Sequence, residues 1–386
     1  MDLIKPKGCK DYLPNEAKRL REIEQMLSSL FEQWGYREVI PPSFEYYEFL
    51  TEGIGKEYKR KVYKIIDRDG EILALRPELT KSVGRIALTH LSSEPHPLKL
   101  YYKGMVFLRG DPVEIPQIGV ENFGDPSICA DIEILSLAIE SMKRIGIENP
   151  TVDLNHVKII QGVLDSIPVN EDYKELIKGT LALKNFVLYR EVITFMDIPE
   201  KQKKFLLKLP LLRVQKADLG GISFPFQSPL IDEALEELGA VLDHVEFEGI
   251  IVDFGMIRTL EYYNGIIFEL SSPEGGEIFG GGGRYDRLFN LPAIGFAFSF
   301  KNLPKDSTKD DLDLIIKICD IQKGLKKSLN LAKKLRQEGF RVLVLPPHAD
   351  ENNFIRTRNP KIVLKMEGQE IDEEKLINSL THWKAP

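Results

Sequence analysis

The sequence predicts an α+β fold: an antiparallel sheet flanked by helices, interrupted by a helical insertion and followed by a small α/β C-terminal domain. Strand-like segments pair across short turns early in the chain and again after residue 249, with a Lys- and Leu-rich helical span between them. A strand-helix-strand order follows a charged, Pro-containing linker. We therefore expect a core formed by residues 1–154 and 246–303, an insertion at 155–245 and a C-terminal tail at 304–386.

The first predicted elements are one helix and two antiparallel strand pairs. Apolar residues recur three or four positions apart from Leu20 to Trp34, which indicates an amphipathic helix that ends before Gly35. An Asp-Arg-Asp-Gly turn joins a predicted hairpin. The predicted hairpin strands are 62–66 and 71–75, the second strand pair is 98–107 and 115–123, and a helix follows at 130–145.

The later elements complete the sheet and form the tail. Strands are predicted at 250–254, 265–270 and 293–300, and parallel strands at 312–318 and 341–345 flank a helix in the tail. We place the apolar face of that helix at Leu325, Leu329, Ala332 and Leu335. The glycine run 280–283 permits close approach of a ligand or a strand, with a simple turn as the alternative.

Bulk composition excludes several classes of protein. With 386 residues, 43% hydrophobic content and a net charge of −7, the chain is too apolar for disorder and too acidic for indiscriminate binding to nucleic acids. No apolar run is long enough to span a membrane, and the first 14 residues are too polar and Pro-broken for a signal peptide, so we expect a cytoplasmic protein. The three cysteines are widely spaced and lack CxxC spacing, which argues against disulfides and zinc. We expect no cofactor and no metal.

The segment 76–80 offers a carboxylate and a hydroxyl for binding an ammonium group. In an extended chain Arg76, Glu78 and Thr80 point the same way. The alternative is that Glu78 pairs with a neighbouring Arg or caps a helix that starts at Thr80.

A second polar set lies on the strand predicted at 115–123. Gln117, Gly119 and Glu121 share one face, and the glycine between the two polar side chains leaves room for a ligand. An ordinary solvated face of an antiparallel sheet is the alternative.

An arginine and paired tyrosines precede the strand predicted at 265–270. Arg258 offers a rigid fork for a carboxylate, and Tyr262 and Tyr263 follow it. The alternative is an arginine at a strand edge with two core tyrosines. The glycine run continues into Arg284 and Tyr285, and it lacks the Walker and Rossmann spacings.

Taken in order, these segments resemble class II aminoacyl-tRNA synthetases, and specifically the histidyl-tRNA synthetase family. The resemblance extends to about residue 303, and the tail resembles only the start of that family's anticodon-binding domain. The similar segments are 35–42 (the class's first motif, at the dimer interface), 74–80 (LRPEGT), 117–121 (QLGVE), 258–263 (RGLDYY) and 282–286 (GGRYD).

The resemblance implies a histidine pocket, with a role for each of its residues. Glu78, Thr80 and Gln117 would hold the ammonium group, Glu121 with Tyr263 would face the imidazole, Tyr262 and Tyr285 would complete the pocket wall, and Arg258 would lie against the carboxylate.

The sequence departs from the family where ATP would bind. The family's second motif begins FRxE and continues through a long Arg-bearing loop, whereas here Arg109 is displaced by one position and Gln117 follows after five fewer residues. The family's third motif ends in an arginine for the γ-phosphate, and Asn302 stands in its place. Because losing one electrostatic stabiliser costs about a hundred- to thousandfold in rate, we expect no catalytic residues and no amino-acid activation.

This combination is similar to the family of regulatory subunits of ATP phosphoribosyltransferase. That resemblance implies a histidine-responsive, non-catalytic subunit that assembles with the short-form catalytic subunit in a hetero-octamer, and dimerises through its first motif. It argues against tRNA as a partner. Two alternatives stay open: a divergent, active histidyl-tRNA synthetase, and a free-standing RNA-binding or kinase-regulating module, against which the acidic composition counts.

Overall fold

The chain divides into two compact units. A computed structural model describes residues 4–258, 260, 262–273, 276–304, 312–367, 376 and 380. One unit comprises Met1–Asp11 and Leu20–Pro304, and the other comprises Tyr12–Arg19 and Lys305–Pro386. All eight candidate pocket residues lie in the first unit, whereas the linker predicted at 304–311 falls, apart from Pro304, outside the described residues.

The strands of the first unit form two sheets in the described part of the chain. Its strands are β1 (Arg37–Glu38), β2 (Phe44–Tyr46), β3 (Lys64–Ile66), β4 (Ile72–Leu75), β5 (Leu98–Phe107), β6 (Glu114–Phe123), β7 (Thr151–His156), β8 (Arg213–Val214), β9 (Ile250–Asp253), β10 (Ile266–Ser272), β11 (Glu277–Arg284) and β12 (Ala293–Ser299). The large sheet has nine strands in the order β1-β5-β6-β12-β11-β10-β7-β9-β8, and the small one has the order β2-β4-β3. In this order, each strand from β5 to β7 is antiparallel to its neighbour within that stretch.

Helices pack on both faces of the large sheet and, together with β8, occupy the span between β7 and β9. They are α1 (Pro14–Gln33), α2 (Tyr47–Thr51), α3 (Lys56–Lys59), α4 (Thr80–Thr89), α5 (Ile128–Arg144), α6 (Val157–Asp165), α7 (Glu171–Ala182), α8 (Phe186–Phe195), α9 (Glu200–Lys208) and α10 (Pro229–His244). None of the described helices is long and apolar enough to cross a membrane.

The alternation along β6 separates the core from the candidate site. Ile118 and Val120 are buried in the main apolar cluster, together with Leu27 of α1 and Ile134 of α5. Since successive side chains of a strand point to opposite faces, Glu121 projects away from that helix layer. The alternation of β6 therefore directs Gln117 and Glu121 to the far face of the sheet, where α4 and a second apolar cluster that includes Val83, Leu100 and Tyr102 also pack.

The predicted strand pairs are confirmed, and the glycine run proves to be a central strand. β3 pairs with β4, and β5 pairs with β6, both antiparallel. Residues 280–283 lie within β11, between β10 and β12, so the simple-turn alternative is wrong. Cβ atoms at Gly280 and Gly282 would collide with carbonyl oxygens of the adjacent strand β12.

The second unit contains a three-stranded parallel sheet among the described residues, and the sequence predicted two of its strands, at 312–318 and 341–345. Its strands β13 (Leu314–Ile318), β14 (Val342–Leu345) and β15 (Ile362–Met366) are arranged β14-β13-β15, with helices α11 (Ile321–Gln337) and α12 (Glu351–Arg358). The predicted face of α11 is partly wrong, because Leu325 and Leu329 are exposed. The buried stripe runs through Gly324 and Ser328 to Leu335, and small residues there allow close packing against β15.

Candidate functional site

The floor of the site is the face of the large sheet opposite α1 and α5, where small residues replace side chains. Glu121 on β6 pairs in register with Gly295 on β12, which pairs with Gly283 on β11. A Cβ atom at Gly295 would overlap the Glu121 carboxylate, and one at Gly281 would lie 2.7 Å from Nη1 of Arg258. The glycines therefore create the space into which both charged side chains fit.

Two tyrosines hold the Glu121 carboxyl group inside the sheet. The Tyr102 hydroxyl donates to Oε1 at 3.0 Å, and the Tyr285 hydroxyl donates to Oε2. Burial raises the pKa of Glu121 to about 8, since the hydrogen bonds from these hydroxyls and from Thr80 only partly offset the desolvation. The negative charge of Glu78 raises this pKa further. The Glu121 carboxyl group is therefore mostly protonated at neutral pH.

Glu78 combines the two interpretations offered by the sequence. Its Oε1 accepts a hydrogen bond from the backbone N–H of Lys81 at 3.2 Å, so it caps the helix that starts at Thr80. Its Oε2 is buried and has no hydrogen-bond partner among the described residues. Burial raises the pKa of Glu78, and the hydrogen bonds from Lys81 and Thr80 act in the opposite direction. One oxygen of Glu78 is therefore structural and the other is available to a cationic ligand group.

Arg76 does not share this role, which corrects the extended arrangement expected for 76–80. Its Nε donates to the Met105 carbonyl at 2.9 Å and its Nη1 to the Pro41 carbonyl at 2.7 Å. The chain turns into α4 at Thr80 instead of continuing as a strand, so alternation ends there. Arg76 holds backbone together and is buried.

Arg258 lies over the aromatic side of the pocket. Its Nη1 donates to Oε1 of Glu269 on β10 at 3.3 Å, and its guanidinium carbon is 5.9 Å from the centroid of the Tyr263 ring. The pKa of Arg258 is raised by Tyr263 and Glu269, against the effect of burial. Oε2 of Glu269 is in turn 3.8 Å from Nζ of Lys184, in the turn between α7 and α8. The guanidinium thus stays charged beside the floor of the site.

The predicted tyrosines form one aromatic wall. Ring centroids of Tyr262 and Tyr263 are 4.8 Å apart, and Tyr262 and Tyr285 are 5.6 Å apart. Gln117 lies on the same β6 face as Glu121, where its Nε2 donates to Oγ of Ser299 at 3.2 Å. The structure therefore brings the eight predicted residues to one face of the sheet, drawn from β6, the segment 78–80 at the start of α4, the residue after β11 and the segment before β10.

The region where the family binds ATP carries little positive charge in the structure. Residues 108–113, between β5 and β6, form a short loop, in which Arg109 is exposed and its guanidinium carbon is 5.6 Å from the Tyr63 ring centroid. Asn302 is exposed just after β12. Two positions that the resemblance links to phosphate are thus occupied by an arginine directed to a ring and by a neutral amide.

Sequence reasoning missed Tyr102 and Glu269. Tyr102 pairs in register with Gly119 on β6, so the register of the predicted β5–β6 pair could have located it. Glu269 pairs in register with Gly281, but no sequence pattern assigned that glycine to a strand. Both residues support a group that the pattern had already identified.

Together these groups can recognise a small zwitterion that carries a polar ring. A buried carboxylate oxygen without a partner suits an ammonium group, and a guanidinium fork suits a carboxylate. A proton-carrying carboxyl group between tyrosine hydroxyls suits a ring nitrogen. Among the described residues no cluster of His, Cys, Asp or Glu could hold a metal ion.

Comparisons with known proteins agree with this fold. A sequence model of the family described as histidyl-tRNA synthetase matches residues 8–303. An ATP phosphoribosyltransferase regulatory subunit of Halothermothrix orenii is 34% identical over 92% of this chain and 89% of the relative. A histidine–tRNA ligase of Methanocaldococcus jannaschii is 31% identical over 87% of this chain and 84% of the relative.

A solved structure extends the agreement to the fold. The crystal structure of an ATP phosphoribosyltransferase regulatory subunit/histidyl-tRNA synthetase from Bacillus halodurans superposes with a TM-score of 0.85 at 26% identity. It covers 94% of this chain and 98% of its own. The class II synthetase-like α+β fold is thereby confirmed.

Proposed function

Since the chain belongs to the histidyl-tRNA synthetase family, we propose that it is a cytoplasmic, non-catalytic regulatory subunit of a short-form ATP phosphoribosyltransferase, which it activates and makes responsive to histidine. Relatives named as regulatory subunits of that enzyme, 32–34% identical over 77–92% of this chain, support the regulatory role. The contrast that supports the proposal lies between the charged and polar groups that converge on the sheet and the exposed Arg109 and neutral Asn302 at the positions that the resemblance links to phosphate.

Histidine matches the pocket group by group. Its ammonium would bind the free oxygen of Glu78, with Thr80 and Gln117 beside it, and its carboxylate would bind Arg258. Its imidazole would lie against Glu121 and Tyr263. Because the Glu121 carboxyl carries a proton at neutral pH, it can donate to an imidazole nitrogen or, once ionised, accept from one. Tyr262 and Tyr285 would close the wall beside the ring.

Adenylate formation needs positive charge on the phosphates, and this chain offers little there. A six-residue β5–β6 loop with an exposed Arg109, and the neutral Asn302, leave the transferring phosphate without the fixed charges that stabilise its transition state. We infer that histidine binds without being activated. The same contrast disfavours the alternative of an active synthetase.

Self-association through the first motif is part of the proposal. Ile40 is 80% exposed, and Phe44 and Tyr46 on the neighbouring strand β2 are also exposed. An apolar cluster of this kind suits burial against a second copy of the chain. Ile40→Glu is expected to shift the protein from dimer to monomer in sedimentation velocity, and an unchanged dimer would place the interface elsewhere. The dimer would then assemble with catalytic subunits in a hetero-octamer.

Reconstitution tests the central proposal. The chain is mixed with a short-form catalytic subunit, and formation of phosphoribosyl-ATP is measured with and without histidine. We expect the chain to stimulate the reaction and histidine to reduce it. No stimulation together with histidine-dependent exchange of pyrophosphate into ATP would instead identify an active synthetase.

A second test addresses the pocket alone. Arg258→Ala is expected to weaken histidine binding by about tenfold or more in calorimetry, because the ligand carboxylate loses its charged partner. Arg287→Ala is the matched control, since Arg287 is an exposed arginine two residues beyond Tyr285. Equal affinity in the two variants would move the carboxylate site away from Arg258.

A further inference from the structure

Residues 52–61, here called the strap, connect α2 to β3 and are held near both ends. Nζ of Lys81, on α4, donates to the carbonyl of Glu52 and to that of Phe49, the latter at 2.9 Å. At the other end, the backbone N–H of Arg109 donates to the carbonyl of Lys61 at 2.7 Å. The strap is thus attached to the helix that carries Thr80 and to the shortened β5–β6 loop.

Tyr58 is the strap residue that reaches the pocket. Its hydroxyl donates to the carbonyl of Pro77 at 3.3 Å, in the peptide that precedes Glu78. The pKa of Tyr58 is raised first by burial, then by Glu78 and Tyr263, while Arg258 lowers it. The hydroxyl of Tyr58 is therefore held against the segment that carries Glu78.

We propose that Tyr58 is a specificity-determining residue, which covers the Glu78 side of the pocket and thereby makes a free α-amino group a requirement for binding. The inference rests on the proposed histidine pocket. Attraction between an ammonium and a carboxylate rises steeply as water is excluded. The unpartnered Oε2 of Glu78 is already buried, and the Tyr58 hydroxyl is hydrogen-bonded to the peptide that precedes Glu78. A ligand that lacks the ammonium leaves this oxygen unpaired, at a cost in affinity.

The shortened β5–β6 loop also holds the strap in position. Arg109 directs its guanidinium to the Tyr63 ring, next to β3, while its backbone holds Lys61. The loop that the resemblance links to phosphate binding therefore holds the end of the strap in this chain.

Ligand discrimination tests the proposal. Calorimetry measures binding of histidine and of imidazolepropionate, which lacks the amino group, to the full chain and to Tyr58→Ala and Tyr58→Phe. We expect Tyr58→Ala to lose about tenfold in affinity for histidine and less than about threefold for imidazolepropionate, because only the first ligand uses Glu78. Tyr58→Phe should stay within about threefold for both, since it keeps the ring and loses one long hydrogen bond. Tyr173→Ala, at an exposed tyrosine of α7, is the control.

The outcomes separate this inference from the function on which it rests. Wild-type protein that binds neither compound would overturn both. Wild-type protein that prefers histidine, with the same preference retained in Tyr58→Ala, would overturn the role of Tyr58 alone. Equal losses for both compounds would make Tyr58 a general wall of the pocket and would also overturn it.

Hydrogen exchange of the wild-type protein gives a second measurement that needs no variant to fold. The backbone N–H groups of Tyr58 and Lys59 donate to the Gly55 carbonyl within the strap. We expect histidine to slow exchange of the peptide spanning 52–61, and imidazolepropionate to leave it unchanged. Equal effects of the two compounds would contradict the proposal.

Discussion

Replacing Glu121 by glutamine should change how the stability of the protein depends on pH. The folded-state pKa of Glu121 is about 8, against 4.5 for the free side chain. Between those values the folded chain holds one proton more than the unfolded chain at this site, so wild-type stability falls as pH rises and levels off above pH 8. Glutamine has the same shape and no titration. Burial keeps the pKa values of Tyr102 and Tyr285 well above 10, so both hydroxyls stay protonated.

The expected magnitude follows from one proton. Over the 1.5 units from pH 6 to 7.5, at ~1.36 kcal/mol per unit, the free energy of unfolding of Glu121→Gln should rise by about 2 kcal/mol relative to wild type. Urea titrations followed by circular dichroism at the two pH values, without ligand, measure this difference. Glu78 also has a raised pKa, but it is present in both proteins. Glu171→Gln, at an exposed side chain of α7, is the control. Parallel pH profiles for wild type and Glu121→Gln would refute the assignment of a buried, protonated carboxyl group.

Two further predictions concern the frame of the site. Arg284 makes a bidentate ion pair with buried Asp131 at 3.0 and 2.7 Å, so Arg284→Ala should lower the free energy of unfolding by about 3–5 kcal/mol in urea titrations, because a buried charge is left unpaired. Gly295→Ala should abolish histidine binding in calorimetry, because its methyl group would overlap the pocket carboxylate. Gly239→Ala, in open space on α10, should instead stabilise the protein by about 0.5–1 kcal/mol and leave binding intact.

The sequence predicted elements and faces wherever a local pattern determined them. Strand alternation placed Gln117 and Glu121 on one face, because β6 pairs with β5 without a register shift. Alternation failed at Thr80, where the chain enters a helix, and the tertiary carbonyls that bind Arg76 had no local signal. The face of α11 was misplaced for a related reason, since small residues such as Gly324 are buried there by packing and not by hydrophobicity.

The residues that sequence reasoning missed share a physical property: each acts through a partner distant in the chain. Tyr102 supports Glu121 across a strand pair, and Glu269 contacts Arg258 after a turn. Such supporting groups depend on register and loop closure, which single-sequence patterns do not encode.

The proposed function separates recognition of the amino acid from catalysis, and the two would depend on different parts of the fold. The side chains proposed to bind the amino acid lie on the rigid sheet and at the start of α4. On the sheet, Gly295 and Gly281 make room for charged side chains. The phosphate side depends instead on the β5–β6 loop and on the end of β12, where the chain tolerates shortening and substitution. A change at Arg109 or Asn302 therefore leaves the floor intact, whereas a change at Gly295 destroys it. Regulation by histidine requires only the first of these two parts, because a ligand shifts an equilibrium through differential affinity and not through chemistry.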